Sequence, residues 1–211
     1  MKIFILADEH QKKEILSLTH DENVSITFDS TMPEDGSIKN YDAFFILAGY
    51  EEINPLKFKG KPVYINEVIK TLPELNFPGN FYRINGWPGF LERSIWEIAT
   101  NQEHENPEIF NLFNRKGILV KDEPGFVSAR VICMIINEAF FAFGEKISTI
   151  EEIDMAMKLG TNYPNGPFEW AEKIGLDKVY LLLKKLSDKD GRYIPAPALK
   201  KLYLEIKTPD L

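Results

Sequence analysis

Short, almost continuously apolar runs recur along residues 1–121 and are typical of buried strands. The clearest occupy residues 2–7 and 43–48, whereas residues 24–28 alternate apolar and polar side chains. Further strands are predicted at residues 62–65, 81–85, 94–99 and 116–121, with helices at 11–18 and 106–114. Because apolar strands separated by helical or loop segments are typical of a largely parallel sheet, we predict an α/β unit here.

Residues 122–211 have a different pattern, dominated by helical periodicity. Residues 127–143 are apolar on nearly every side, yet Arg130, Asn137 and Glu138 argue against a membrane span and predict a central core helix. These three residues are expected to share one face as a structural charge pair with an amide partner. The capping-box spacing of residues 148–151 predicts a second helix, and three more follow. We therefore predict an α/β plus all-α protein with its domain boundary between residues 121 and 122.

Composition narrows the possible classes of function. The chain has 211 residues, a net charge of −7 and no Lys/Arg cluster, so no nucleic-acid partner is expected. The single cysteine, Cys133, excludes an internal disulfide and fits a reducing compartment. The N-terminal apolar run is too short for a signal peptide. These features predict a cytoplasmic protein with no membrane partner.

Five blocks in the second half carry a family resemblance. They read PGFVSARV, INEAF, IDMAMKLG, YPNGPFEWAEKIGLD and RYIPAPALKKL, and they keep their order over residues 122–202. This stretch resembles the C-terminal helical domain of the 3-hydroxyacyl-CoA dehydrogenases. The resemblance implies a truncated, degenerate Rossmann-like, mostly parallel sheet over residues 1–121 and a helical bundle over residues 122–211. It also implies a place in fatty acid metabolism, NAD as cofactor and a homodimer formed through the helical domain.

The loop after the first strand departs from the family pattern. A dinucleotide-binding fold needs G-x-G-x-x-G there, so that the backbone can approach the pyrophosphate. This chain has Ala7-Asp8-Glu9-His10-Gln11-Lys12, with no glycine and with two carboxylates at that point. We therefore expect no dinucleotide binding in the usual mode, and Asp29 is only a weak candidate for a ribose contact. Asp8, Glu9 and His10 point in different directions, and no metal site is predicted.

The resemblance also implies positions for catalytic residues. The block FYRINGWPGFLERSIWEIA is similar to the region that holds the family's His-Glu pair, and Glu97 matches the glutamate. Twelve residues earlier, Asn85 stands in place of the histidine, and Ala129 replaces the family's orienting asparagine. An amide cannot exchange a proton as an imidazole does. The alternative for Glu97 is an ion pair with Arg83 or Arg130, and Asn66 and Trp87 are candidates for a ligand cleft.

Three functions remain open at this point. The first is a dehydrogenase-like protein without normal redox activity, which binds a ligand such as an acyl-CoA in the cleft between its domains. The second is an active NAD-dependent 3-hydroxyacyl-CoA dehydrogenase with an altered site. The third is a structural partner subunit of another dehydrogenase. The absent glycines, Asn85 and Ala129 argue against the second function.

Overall fold

A computed structural model describes residues 1–101 and 107–208. The chain divides into two compact units, Met1–Phe126 and Val127–Leu211, and each is described by itself. Within the described ranges, no helix is both long and apolar enough to cross a bilayer. His104, which the sequence places in a polar segment, lies outside the described residues.

The first unit is built on one sheet. Its strands are β1 (Lys2–Leu6), β2 (Ser25–Asp29), β3 (Ala43–Ile46), β4 (Val63–Asn66), β5 (Phe81–Ile84), β6 (Ile95–Ala99) and β7 (Lys116–Val120). Their order is β2-β1-β3-β4-β5-β6-β7. All neighbours are parallel except β5 and β6, which are antiparallel. The chain path reverses between β1 and β3, which is the switch point where ligands bind in open α/β sheets.

Both faces of this sheet are buried, as the continuous apolar runs predict. One face packs Ile5, Phe45 and Trp96 into an aromatic-rich cluster. The other face packs Phe4 and Phe44 into a second cluster. Few α-helices cover these faces: α1 spans Glu9–Leu16 and α2 spans Leu72–Leu75. Four 3-10 segments complete the described connections, at Asp35–Asn40, Tyr50–Glu52, Pro55–Phe58 and Pro107–Phe113.

A buried arginine fastens the end of this unit to the sheet. The Arg83 side chain is fully buried and donates from Nε to the Glu67 carbonyl at 2.9 Å. It also donates to the Val68 carbonyl at 3.1 Å and forms an ion pair with Asp122. The guanidinium carbon lies 4.6 Å from the centre of the Phe126 ring. Residues 122–126 therefore pack with the sheet and belong to the first compact unit, which ends at Phe126.

The second unit is helical. Its helices are α3 (Ser128–Gly144), α4 (Ile150–Thr161), α5 (Pro167–Ile174), α6 (Leu176–Ser187) and α7 (Pro197–Lys207). Helix α3 packs against α5, α6 and α7 and is the central core helix that its apolar sequence predicts. Together with the mostly parallel sheet, these helices confirm the α/β plus all-α fold class.

The predicted shared face of Arg130, Asn137 and Glu138 is wrong. Asn137 is buried and Glu138 is exposed, because consecutive helical residues lie about 100° apart around the axis. Arg130 is half-buried. Instead of joining a charge pair, Asn137 donates to the Ile194 carbonyl at 3.0 Å and accepts from the Ala196 amide at 2.8 Å. It thereby holds the segment that leads into α7.

Candidate functional site

The first turn of α1 is capped by the chain's own side chains. The backbone amide of Gln11 donates to Asp8 Oδ1 at 2.8 Å, and the backbone amide of Asp8 donates to Gln11 Oε1 at 3.2 Å. This reciprocal pair is a capping box, which satisfies two amides that the first turn of a helix otherwise leaves without partners. A diphosphate at this position would need such amides for itself.

The segment after β5 is held by polar side chains from α1 and β4. Gln11 Nε2 donates to the carbonyls of Leu47 and Gly86, at 2.9 and 3.3 Å. Asn66 bridges the same two residues, donating to the Leu47 carbonyl at 3.1 Å and accepting from the Gly86 amide at 2.9 Å. A Cβ at Gly86 would lie 2.9 Å from the Asn66 side chain, so this close contact requires glycine.

Glu14 holds the continuation of that segment. Its buried carboxylate accepts from the amides of Gly89 and Leu91, at 2.6 and 3.2 Å, and lies 3.0 Å from His10 Nδ1. Burial raises the pKa of Glu14, and the two amides and His10 oppose this rise. Residues 86–91 are thus fixed at several backbone points.

Asn85 and Glu97 belong to the neighbouring strands β5 and β6 or to the residues that directly follow them. In the antiparallel pair β5–β6, Arg83 lies opposite Ala99 and Ile84 opposite Ile98. Asn85 follows the last residue of β5, and Glu97 lies within β6. These are the two positions that match the family's catalytic pair, and both side chains are buried.

Each of these two residues also has structural neighbours. Asn85 Oδ1 accepts from the Trp87 amide at 3.3 Å, which closes a local turn of the kind that asparagine commonly forms. Arg83, one of the predicted ion-pair partners of Glu97, instead pairs with Asp122. Arg93 is a basic residue that interacts electrostatically with Glu97. Burial lowers the pKa of Arg93, and the negative charge of the nearby Glu97 opposes that effect.

The other predicted site residues occupy varied positions. Asp29 is exposed at the end of β2, and its Oδ1 accepts from the Thr31 amide and hydroxyl at 3.1 and 3.2 Å. These hydrogen bonds lower the pKa of Asp29. Trp87 is buried, as is Ala129 at the start of α3. The roles assigned to Asp29, Asn66, Trp87, Asn85 and Glu97 stay predictions.

An open groove lies at the carboxyl ends of β1, β2 and β3, at the switch point of the sheet. It has a volume of about 470 Å³, and we call it the β1 groove. Its apolar lining includes Leu6, Ala7, Ala48 and Ile53, and its carboxylates are Asp8 and Glu52.

Sequence reasoning missed Gln11, Glu14 and the β1 groove. The Asp8-x-x-Gln11 spacing is the signal that could have predicted the capping box. Glu14 gave no such signal, because its partners are 75 and 77 residues away along the chain. Among the residues that the structure describes, no group of three or more His, Cys, Asp or Glu side chains is placed to hold a metal ion.

Comparisons with known proteins give a consistent result for the second half of the chain. The family model of the 3-hydroxyacyl-CoA dehydrogenase C-terminal domain matches residues 125–208. A probable 3-hydroxybutyryl-CoA dehydrogenase of Bacillus subtilis is 42% identical over 116 residues, which cover 53% of this chain and 40% of that protein. The 3-hydroxyadipyl-CoA dehydrogenase of Escherichia coli is 38% identical over 112 residues, 51% of this chain and 24% of that protein. This chain thus matches less than half the length of these curated relatives.

Solved structures extend the likeness to the fold of the first half. The (S)-3-hydroxybutyryl-CoA dehydrogenase of Ralstonia eutropha aligns over 96% of this chain and 93% of that chain, with a TM-score of 0.72 and 21% identity. At this identity the likeness shows the fold alone. The 3-hydroxybutyryl-CoA dehydrogenase of Escherichia coli aligns over 70% of this chain and 32% of that chain, with a TM-score of 0.58 and 27% identity. The resemblance is therefore confirmed over residues 125–208, which match the C-terminal domain of the 3-hydroxyacyl-CoA dehydrogenases.

Proposed function

We propose that this protein binds a small ligand of the acyl-CoA class and does not carry out the hydride transfer of its relatives with NAD. The observation that carries the proposal is the capping box between Asp8 and Gln11, which occupies the place where a dinucleotide's pyrophosphate would bind. We include in the proposal a cytoplasmic location and a homodimer formed through the helical unit.

The residues after β1 do not fit NAD. A pyrophosphate would have to displace the Asp8 carboxylate from the Gln11 amide and the Gln11 side chain from the Asp8 amide. It would also bring negative charge against a carboxylate. Two like charges about 4 Å apart repel by about 1 kcal/mol in water and by about 4 kcal/mol near a protein surface. Steric and electrostatic terms therefore both oppose the cofactor.

The proton-transfer site supports the same proposal. Asn85 directly follows β5, at the position where the resemblance implies a histidine. Its carboxamide has no titration near neutral pH, and its oxygen already accepts the Trp87 amide. Ala129 adds no polar side-chain atom. Loss of a general acid-base group costs about 10²–10⁴-fold in rate, so hydride transfer would be very slow even with a bound cofactor.

The ligand class follows from the names of the relatives. Proteins similar to this chain are described as dehydrogenases of 3-hydroxybutyryl-CoA and 3-hydroxyadipyl-CoA, which are acyl-CoA thioesters. The likeness is strongest over residues 125–208, so we infer that any shared ability to recognise acyl-CoA resides mainly there.

Two alternatives retain specific support. Glu97 favours an active dehydrogenase with an altered site, since the glutamate that the resemblance implies is kept at that position. The exposed apolar side chains Ile147, Met155 and Leu159 favour a structural partner subunit, because such a surface is suited to protein contacts.

Isothermal titration calorimetry tests the proposal. NAD, NADH, acetoacetyl-CoA and free CoA are titrated separately into the wild-type protein, with a working 3-hydroxybutyryl-CoA dehydrogenase as the positive control. We expect heat from acetoacetyl-CoA, less from free CoA and none from either nucleotide. Saturable binding of NAD at micromolar concentration would contradict the loss of the cofactor site. Absence of binding by acetoacetyl-CoA would instead favour the structural partner subunit.

A further inference from the structure

The β1 groove combines an apolar surface with two carboxylates, Asp8 and Glu52. Its volume of about 470 Å³ lies in the range of small-molecule sites, which are about 300–1,000 Å³. Ala7, Ala48 and Ile53 are half-buried, so they give the groove an apolar surface that is still accessible. Its position outside the carboxyl ends of β1 and β3, where the chain path reverses, is where ligands of open α/β sheets bind.

The charge of the groove is set by Asp8 and Glu52. The Asp8 carboxylate uses one oxygen to cap α1, and among the described residues its second oxygen has no hydrogen bond. The Glu52 carboxylate makes no hydrogen bond or ion pair within the described part of the chain and is exposed. None of the described lining residues is Lys, Arg or His.

A basic side chain, Lys57, lines an adjoining depression. That smaller space, of about 80 Å³, shares Met32, Glu52 and Ile53 with the β1 groove and includes Lys57. Lys57 Nζ lies 2.7 Å from Asp35 Oδ1, so its charge is already paired. The groove therefore presents a net negative potential over an apolar surface.

We propose that the β1 groove binds a small organic cation, an amine with an apolar body. The apolar part would lie on Ala7, Ala48 and Ile53, and the ammonium group would face Asp8 and Glu52. This inference rests on the proposed function in one respect. If the Asp8–Gln11 capping box at the start of α1 excludes a pyrophosphate, the groove is left for a positively charged ligand. A phosphorylated ligand would meet the same two carboxylates and be repelled.

Three indole compounds of similar size and different charge test the inference: tryptamine, a cation; tryptophol, which is neutral; and indole-3-acetate, an anion. Titration calorimetry at low salt should rank their affinities in that order. Asp8→Asn removes the charge and keeps the cap, because Asn and Asp are equally good cap residues. Asp8→Asn and Glu52→Gln should each weaken tryptamine binding about fivefold, the effect of one charge pair about 4 Å apart in water. The double variant should bind tryptamine and tryptophol equally.

Glu22→Gln is the matched control, since Glu22 is an exposed carboxylate in the turn before the amino end of β2, whereas the groove lies at the carboxyl end of that strand. It should leave all three affinities unchanged. Equal binding of tryptamine and tryptophol by the wild type, preference for indole-3-acetate, or no binding of any of the three would overturn the inference. NAD is titrated in parallel. Binding of NAD would overturn the proposed function. If NAD does not bind and the protein does not prefer tryptamine to tryptophol, this inference alone is overturned.

Discussion

Replacement of Arg83 by methionine tests how the end of the first unit is held. Arg83 is fully buried, and the change removes its bonds to the carbonyls of Glu67 and Val68 together with the Asp122 ion pair. Breaking a buried ion pair by removing one partner costs about 3–5 kcal/mol, because the remaining charge is left without compensation. Domains of ordinary stability have about 5–15 kcal/mol in total, so the loss is a large fraction of it.

The assay is urea unfolding followed by tryptophan fluorescence. Trp87 and Trp96 lie in the first unit and Trp170 lies in the second, so a Trp170→Phe background reports the first unit alone. With a urea dependence of about 2 kcal/mol/M, a loss of about 4 kcal/mol lowers the midpoint by about 2 M. A double change, Arg83→Met with Asp122→Leu, should recover part of the loss because no unpaired charge remains.

Arg115→Met provides the control. The Arg115 guanidinium donates to the carbonyls of Asn114 and Glu92 at exposed positions, at 3.0 and 3.4 Å. Its loss should cost about 1 kcal/mol or less. If Arg83→Met also costs less than about 1 kcal/mol, the buried network does not fasten residues 122–126, and the reasoning is refuted.

Further predictions concern the helical unit, pH and assembly. Asn137→Ala should lower the free energy of unfolding by about 2–4 kcal/mol, since the Ile194 carbonyl and the Ala196 amide lose a buried partner; near-wild-type stability in chemical denaturation would contradict this. Burial raises the pKa of Glu14, so its contribution to stability is greatest below its ordinary pKa and is lost as pH rises through the raised folded-state value. The melting temperature of Glu14→Gln, measured by calorimetry, should therefore rise relative to that of the wild type as the pH goes from about 4 to 7. A difference in melting temperature that does not change with pH would contradict this. Light scattering at tens of micromolar should give twice the 24.3 kDa chain mass, and Leu159→Glu should give the monomer; a wild-type monomer would exclude the dimer.

Much of the fold could be predicted because buried strands and helices have recognisable runs of apolar residues in the local sequence. The apolar runs at residues 43–48 and 62–65 correspond to β3 and β4, and the apolar segment at residues 127–143 corresponds to α3. The 3-10 segments between β2 and β4 could not be predicted, because these short polar stretches have no helical periodicity of their own. Their conformations depend on the sheet that they cover.

The site was only partly predictable for a related reason. The spacing of Asn85 and Glu97 was readable along the chain, and the structure shows that β5, which Asn85 follows, pairs with β6, which contains Glu97. The Arg83–Asp122 pair joins residues 39 positions apart, so the sequence suggested Glu97 as a partner of Arg83 when the structure has Asp122. The β1 groove is formed by residues of three separate connections, which come together at the carboxyl ends of β1, β2 and β3. No local sequence pattern predicts that these connections lie close together.

The rate of NADH formation tests the central claim most directly. Purified wild-type protein at ordinary enzyme concentration is mixed with NAD and (S)-3-hydroxybutyryl-CoA, and NADH absorbance is followed beside a working dehydrogenase. We predict no turnover above the background, for wild type and for Asn85→His alike, because the histidine would leave in place the Asp8–Gln11 capping box that we propose excludes the cofactor. Robust NADH formation by the wild-type protein, lost on Glu97→Gln, would contradict the account and identify a working dehydrogenase with an altered site.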